Sequence, residues 1–131
     1  MTETKSVEKT GVENVRFDLE RLPELILEKS TELYGSRTTY DEFKLRLKAI
    51  ELNVETTVAD ETVDGKKTYP NALARSAEVQ RRLKQHSEYD LVKTSVDVER
   101  KRIDQLSLTI AFMRDKLGAA RALARLIAGT D

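Results

Sequence analysis

Reactive side chains are few in this chain of 131 residues. Its single histidine, His86, stands beside Ser87 and four residues before Asp90, so a nucleophile, a base and an orienting carboxylate all occur within one short stretch. Adjacency does not make a triad, because such constellations assemble from distant segments. His86 therefore reads as a capping or exposed residue at a helix junction. With no cysteine there is no thiolate nucleophile, no disulfide and no cysteine-based zinc or iron–sulfur site. One histidine cannot supply the two Glu-x-x-His pairs of a di-iron bundle, and Glu78, Glu88, Asp90, Asp97, Glu99 and Asp104 do not form that pattern. Asp60, Glu61 and Asp64 lack the spacing of a calcium loop and read as a solvated acidic turn. Gly65-Lys66-Lys67-Thr68 has the ending of a phosphate-cradling loop, but Asp60 stands where that motif needs glycine. The sequence therefore assigns no catalytic residue, metal or cofactor, and the expectation is a protein that is not an enzyme.

Charge is more informative. The 23 basic and 23 acidic residues cancel, which excludes a strongly charged nucleic-acid binder but leaves room for a local basic face. Residues 72–131 carry twelve Lys or Arg against eight Asp or Glu, whereas residues 1–71 carry eleven against fifteen. Arg114, Arg121 and Arg125, seven and four residues apart, share one side of a helix. With Arg81 and Arg82 they are the candidate nucleic-acid contacts, suited to salt-dependent phosphate binding without base reading. The same cations could instead pair with acidic residues of a neighbouring helix. The opposite signs of the two halves also suit antiparallel or head-to-tail docking of one on the other.

These residues must be positioned mainly by helices. Aromatics make up 5% of the chain, and five glycines and two prolines are too few for a turn-rich β-sandwich. Residues 1–14 are polar throughout and read as a loose tail with no secretory signal; 15–22 alternate weakly, as in a short extended segment. Pro23 suits the first turn of a helix that ends at Gly35. Thr39 and Glu42 form a capping box for a second helix with its apolar seam at Tyr40, Phe43, Leu47, Ile50 and Val54. Between Asn53 and Tyr69 the helical signal fades. The segment is either a polar loop of roughly ten residues or a small hairpin turning at Asp64-Gly65. A third helix restarts after Tyr69-Pro70-Asn71, and Ser87 is placed to cap a fourth beyond a break at His86.

The last segment carries the most specific pattern. Tyr89, Val92, Val96, Glu99, Ile103, Leu106, Ile110, Met113, Leu117, Ala120, Ala124 and Ile127 recur in alternating steps of three and four, with Glu99 the only charge. Sustained over more than five heptads, this is a coiled-coil seam. Leu108, Phe112, Leu123 and Leu126 lie beside it and widen it. A helix from Ser87 to Ile127 would be roughly 60 Å long at 1.5 Å per residue, far longer than any single upstream helix. Another chain is therefore expected to cover Tyr89, Val92, Val96, Ile103, Leu106, Ile110, Met113, Leu117 and Ile127 as an oligomer interface.

Two resemblances accompany this reading. The pattern Tyr69-Pro70-Asn71-Ala72-x-x-Arg75-x-x-Glu78-x-x-x-Arg82-Leu83, followed by Tyr89, is similar to small helical proteins of phage and prophage regions, some encoded beside recombination or single-strand-handling genes. That resemblance, over roughly residues 55–127, implies an accessory role in DNA metabolism. The helix–hairpin–helix order resembles prefoldin-like chaperone subunits, with one helix more and a break near His86. The expectation is an all-α, elongated helical bundle or antiparallel coiled coil with one long C-terminal helix and a small β-hairpin between the second and third helices. Residues 15–131 form its single domain. The expected protein is cytoplasmic and away from membranes; it binds itself, with nucleic acid or another protein as the alternative partner, and needs no cofactor.

Overall fold

A computed structural model describes the backbone of residues 2–129 and the side chains of residues 11–129. The chain is all-α, with helices α1 (Thr2–Asp60), α2 (Ala72–Gln85) and α3 (Ser87–Gly129). A small antiparallel hairpin, β1 (Thr62–Val63) and β2 (Lys66–Lys67), joins α1 to α2. The residues form two compact units. One runs from Ser36 to Lys101; the other combines the chain up to Gly35 with the chain from Arg102 onward.

The main departure from the sequence reading is α1. The two helices expected on either side of Gly35 are one helix of 59 residues. Its burial explains why. Leu22, Ile26, Lys29, Leu33, Ser36, Tyr40, Phe43, Leu47, Ile50, Val54 and Val58 recur in steps of three and four, and all are buried or half-buried. The seam begun at Tyr40 thus continues upstream through both apparent breakers. Pro23 lies inside the helix and faces solvent. It withholds a hydrogen bond from the Leu19 carbonyl, a cost on the order of 3 kcal/mol that neighbouring seam burial must offset. Thr39 and Glu42 are interior residues of α1, not a capping box. Residues 2–14, expected as a loose tail, and residues 15–22, expected as a short extended segment, both lie within α1; residue 1 lies outside the described residues.

In the Ser36–Lys101 unit, Val58, Val79 and Leu83 form a buried cluster, with Ile50, Val54, Tyr69 and Tyr89 packed against it. Val58 is only 1% exposed. Burial of this kind overrides the low helix propensity of the β-branched run and carries α1 on to Asp60. Asp64 (φ 54°) and Gly65 (φ 78°) take left-handed conformations, as a two-residue hairpin turn requires. Thr62 then pairs with Lys67 and Val63 with Lys66. Asn71 caps α2, its side-chain oxygen accepting the Ala74 N–H at 2.8 Å.

The other unit holds the first part of α1 and the last part of α3. Leu22 on α1 and Leu106, Ile110, Leu117 and Ala120 on α3 are buried there. Lys116 on α3 pairs with Asp18 on α1 at 3.7 Å.

Candidate interaction surface

The long seam of α3 keeps its expected register. Val92, Val96, Leu106, Ile110 and Leu117 are buried, and Tyr89, Glu99, Ile103, Met113 and Ala124 are half-buried; only Ile127, at the far end, is exposed. This burial is achieved within one chain. The expectation of a second chain rested on upstream helices too short to cover α3, and α1 is longer than α3 itself. The seam residues proposed as an oligomer interface are therefore occupied in holding the fold.

What remains open is the widening of that seam. Leu108 (72% exposed), Phe112 (67%), Leu123 (49%) and Leu126 (67%) form a solvent-facing row along α3. Side chains of this size left in water along one stripe mark a surface for a partner. A comparable row on α1 escaped the sequence reading: Phe17, Leu27 and Tyr34 are 59%, 70% and 76% exposed. Its signal is present in the chain, since Leu27 and Tyr34 are seven residues apart and Phe17 is ten before Leu27, but a helix broken at Pro23 and Gly35 hides it.

The proposed basic contacts separate into two groups. Arg81 and Arg82 are engaged locally. The Glu78 carboxylate accepts from Arg81 Nε at 2.9 Å and from Arg82 Nε at 2.8 Å, and Arg82 also pairs with Glu61. These hydrogen bonds pull the Glu78 carboxyl down to about 2 from an ordinary 4.5. Arg82 lies over the Tyr69 ring at 6.0 Å, and Arg75 Nη1 donates to the Tyr69 carbonyl at 3.3 Å. The Tyr-Pro-Asn…Arg…Glu…Arg-Leu pattern thus fastens the hairpin end of α1 to α2. By contrast, Arg114, Arg121 and Arg125 are exposed and form no ion pair among the described residues.

The remaining candidates for chemistry are structural. His86 ends α2 and its Nδ1 accepts the Tyr89 N–H at 3.1 Å, so His86, and not Ser87, caps α3. The Tyr89 hydroxyl donates to Glu51 at 3.1 Å; burial, and then this carboxylate, push its pKa up. Glu61 serves Arg82, and Lys67 Nζ donates to the Ala59 carbonyl at 3.0 Å, so the acidic turn and the phosphate-loop look-alike both belong to the hairpin corner. No group of three or more metal-binding side chains occurs among the described residues, and no described helix is long and apolar enough to cross a membrane. A groove of about 520 Å³ in the Ser36–Lys101 unit is lined by Leu45, Leu47 and Val96 with Asp41, Lys44, Lys48 and Glu51; it holds no nucleophile–base pair. Comparison with known protein families, characterised proteins and solved structures finds no match for this chain.

Proposed function

We propose that this chain is a non-enzymatic assembly protein that binds through the outward row of α3 and oligomerises by it. The single observation that carries this reading is the contrast along α3: the inner seam is covered by the chain itself, while Leu108, Phe112, Leu123 and Leu126 stay in water. The contact surface is therefore shifted around α3 from the residues singled out by periodicity. Light scattering over a range of concentrations tests it. A mass above that of one chain, reduced to 14.9 kDa by Phe112→Asp with Leu126→Asp, supports it. A strict monomer at high concentration overturns it.

A second reading, binding to a nucleic-acid backbone, is favoured by the exposed cations Arg114, Arg121 and Arg125, which form no ion pair among the described residues. A stripe of three contacts would give binding that weakens steeply with salt and ignores sequence. Retention of single- or double-stranded DNA at low salt, lost when all three arginines become Glu, supports it; equal binding by that variant removes it.

A further inference from the structure

We propose that the α2–α3 junction is an acid-sensitive catch, closed while the His86 ring is neutral and released when that ring takes up a proton. The inference is separate from the self-association reading above and concerns the Ser36–Lys101 unit alone.

The geometry of one hydrogen bond carries it. His86 Nδ1 accepts the Tyr89 N–H at 3.1 Å, so the lone pair of that nitrogen is in use and the ring proton sits on Nε2. An imidazolium carries a proton on both nitrogens and has no acceptor to offer. Protonation therefore turns an acceptor into a donor facing another donor, and the ring must swing away from Tyr89. An asparagine in the same place keeps its acceptor oxygen whether the solution is neutral or acidic.

The charged groups around the ring do not replace the lost bond. His86 shares a cleft of about 380 Å³ with Arg46 and Asn53 of α1 and Glu88 of α3. Arg46 Nε donates to Glu88 at 2.8 Å, so the facing carboxylate is already engaged. Asp90 gives its N–H to the His86 carbonyl at 3.3 Å and its side chain is exposed, while Arg82 and Lys84 stand in the last turn of α2. His86 lies at the end of one helix and the start of the next, where the two helix dipoles act on an added charge in opposite senses.

The catch holds more than one amide. Tyr89 packs against the buried Val58, Val79 and Leu83, and its hydroxyl donates to Glu51 of α1 at 3.1 Å. Glu88, one residue earlier, carries the tie to Arg46. Unfastening the first turn of α3 thus loosens two side chains that bind this turn to α1.

His86 is the chain's single histidine, so its carbon-bound ring protons report protonation directly in a proton NMR spectrum. Parent, His86→Asn and His86→Ala chains are followed together over pH, with the folded-to-unfolded ratio measured in urea at each step. With the ring neutral, the parent should match His86→Asn within about twofold and exceed His86→Ala about fivefold, the usual worth of a cap. With the ring protonated, the parent should fall to the His86→Ala level while the two variants keep their ratio. The Glu78 carboxyl is common to all three chains and cancels in these ratios. Exchange of the Tyr89 amide in the parent, divided by its rate in an unstructured peptide at the same pH, should rise along the ring's own titration curve. A parent that keeps its lead over His86→Ala after the ring is protonated overturns the catch. Where His86→Asn proves a poor cap, Tyr89 exchange decides alone: a rise that follows the ring upholds the proposal, and a flat profile overturns it.

Discussion

The Nδ1 of His86 accepts the backbone N–H of Tyr89 at 3.1 Å, closing the first turn of α3 four residues after the last residue of α2. A single side chain thereby serves a junction between two helices. Loss of such a cap typically costs about 1 kcal/mol, and replacement by another capping residue costs less. His86→Ala should therefore lower stability by about that amount in a urea titration, and His86→Asn should recover most of it. Equal loss in both variants would show that the ring, not its acceptor nitrogen, is what matters at this corner.

Glu78 joins Arg81 and Arg82 on α2, and its carboxyl is lowered from 4.5 to about 2. A carboxyl held below its unfolded value contributes stability that is fully present above about pH 4.5 and is lost as the pH falls toward 2. The melting temperature of the parent should fall across that window more steeply than that of Glu78→Gln, which should already be less stable at pH 7. Parallel curves for the two proteins would mean that the arginine contacts do not hold the carboxylate in solution.

The fold is legible in the residues where one pattern dominates and hidden where local punctuation competes with it. The α3 seam was legible because Val92, Val96, Leu106, Ile110 and Leu117 follow one another without an internal glycine or proline until Gly118, which faces solvent. The α1 seam has the same spacing, but Pro23, Gly35 and the Thr39–Glu42 pair are local stop and start signals that mask the longer period. The consequence for function was large. A helix broken at Pro23 and Gly35 leaves α3 without cover from its own chain, so periodicity alone points the inner seam at another chain and hides the row at Phe17, Leu27 and Tyr34. The Asp64-Gly65 hairpin was legible as an alternative because only its turn residues require left-handed backbone.

Gly35 and Gly118 lie inside helices, and a Cβ added at either meets nothing within 4 Å. Glycine in a helix interior costs about 1 kcal/mol relative to alanine. Gly35→Ala and Gly118→Ala should each raise stability by about that amount in denaturant titrations, and together roughly additively, because neither added Cβ meets an atom through which the two changes could couple. Destabilisation by Gly35→Ala would restore the case for a break in α1.

Glu99 is the one charge in the α3 seam, and its Oε2 is buried without a hydrogen-bond partner among the described residues. An unsatisfied buried oxygen costs about 1–3 kcal/mol. Glu99→Leu should therefore raise the melting temperature. If it also changes the solution mass, the carboxylate selects the pairing of helices at some cost in stability, as single polar seam residues do in coiled coils.

Leu106 and Leu108 are two residues apart on α3, 8% and 72% exposed respectively. The same substitution at the two sites therefore separates folding from association. Leu106→Asp places a charge where α1 and α3 exclude water, and should cost 3 kcal/mol or more, about the scale of a severe core replacement. Leu108→Asp places it in solvent and should leave the unfolding midpoint of a single chain within about 0.5 kcal/mol of the parent. It should instead weaken self-association, measured as a rise in the dissociation constant by sedimentation. The opposite pattern, a tolerated Leu106→Asp and a destabilising Leu108→Asp, would mean that α3 is rotated from the register described above and that the outward row is its true core.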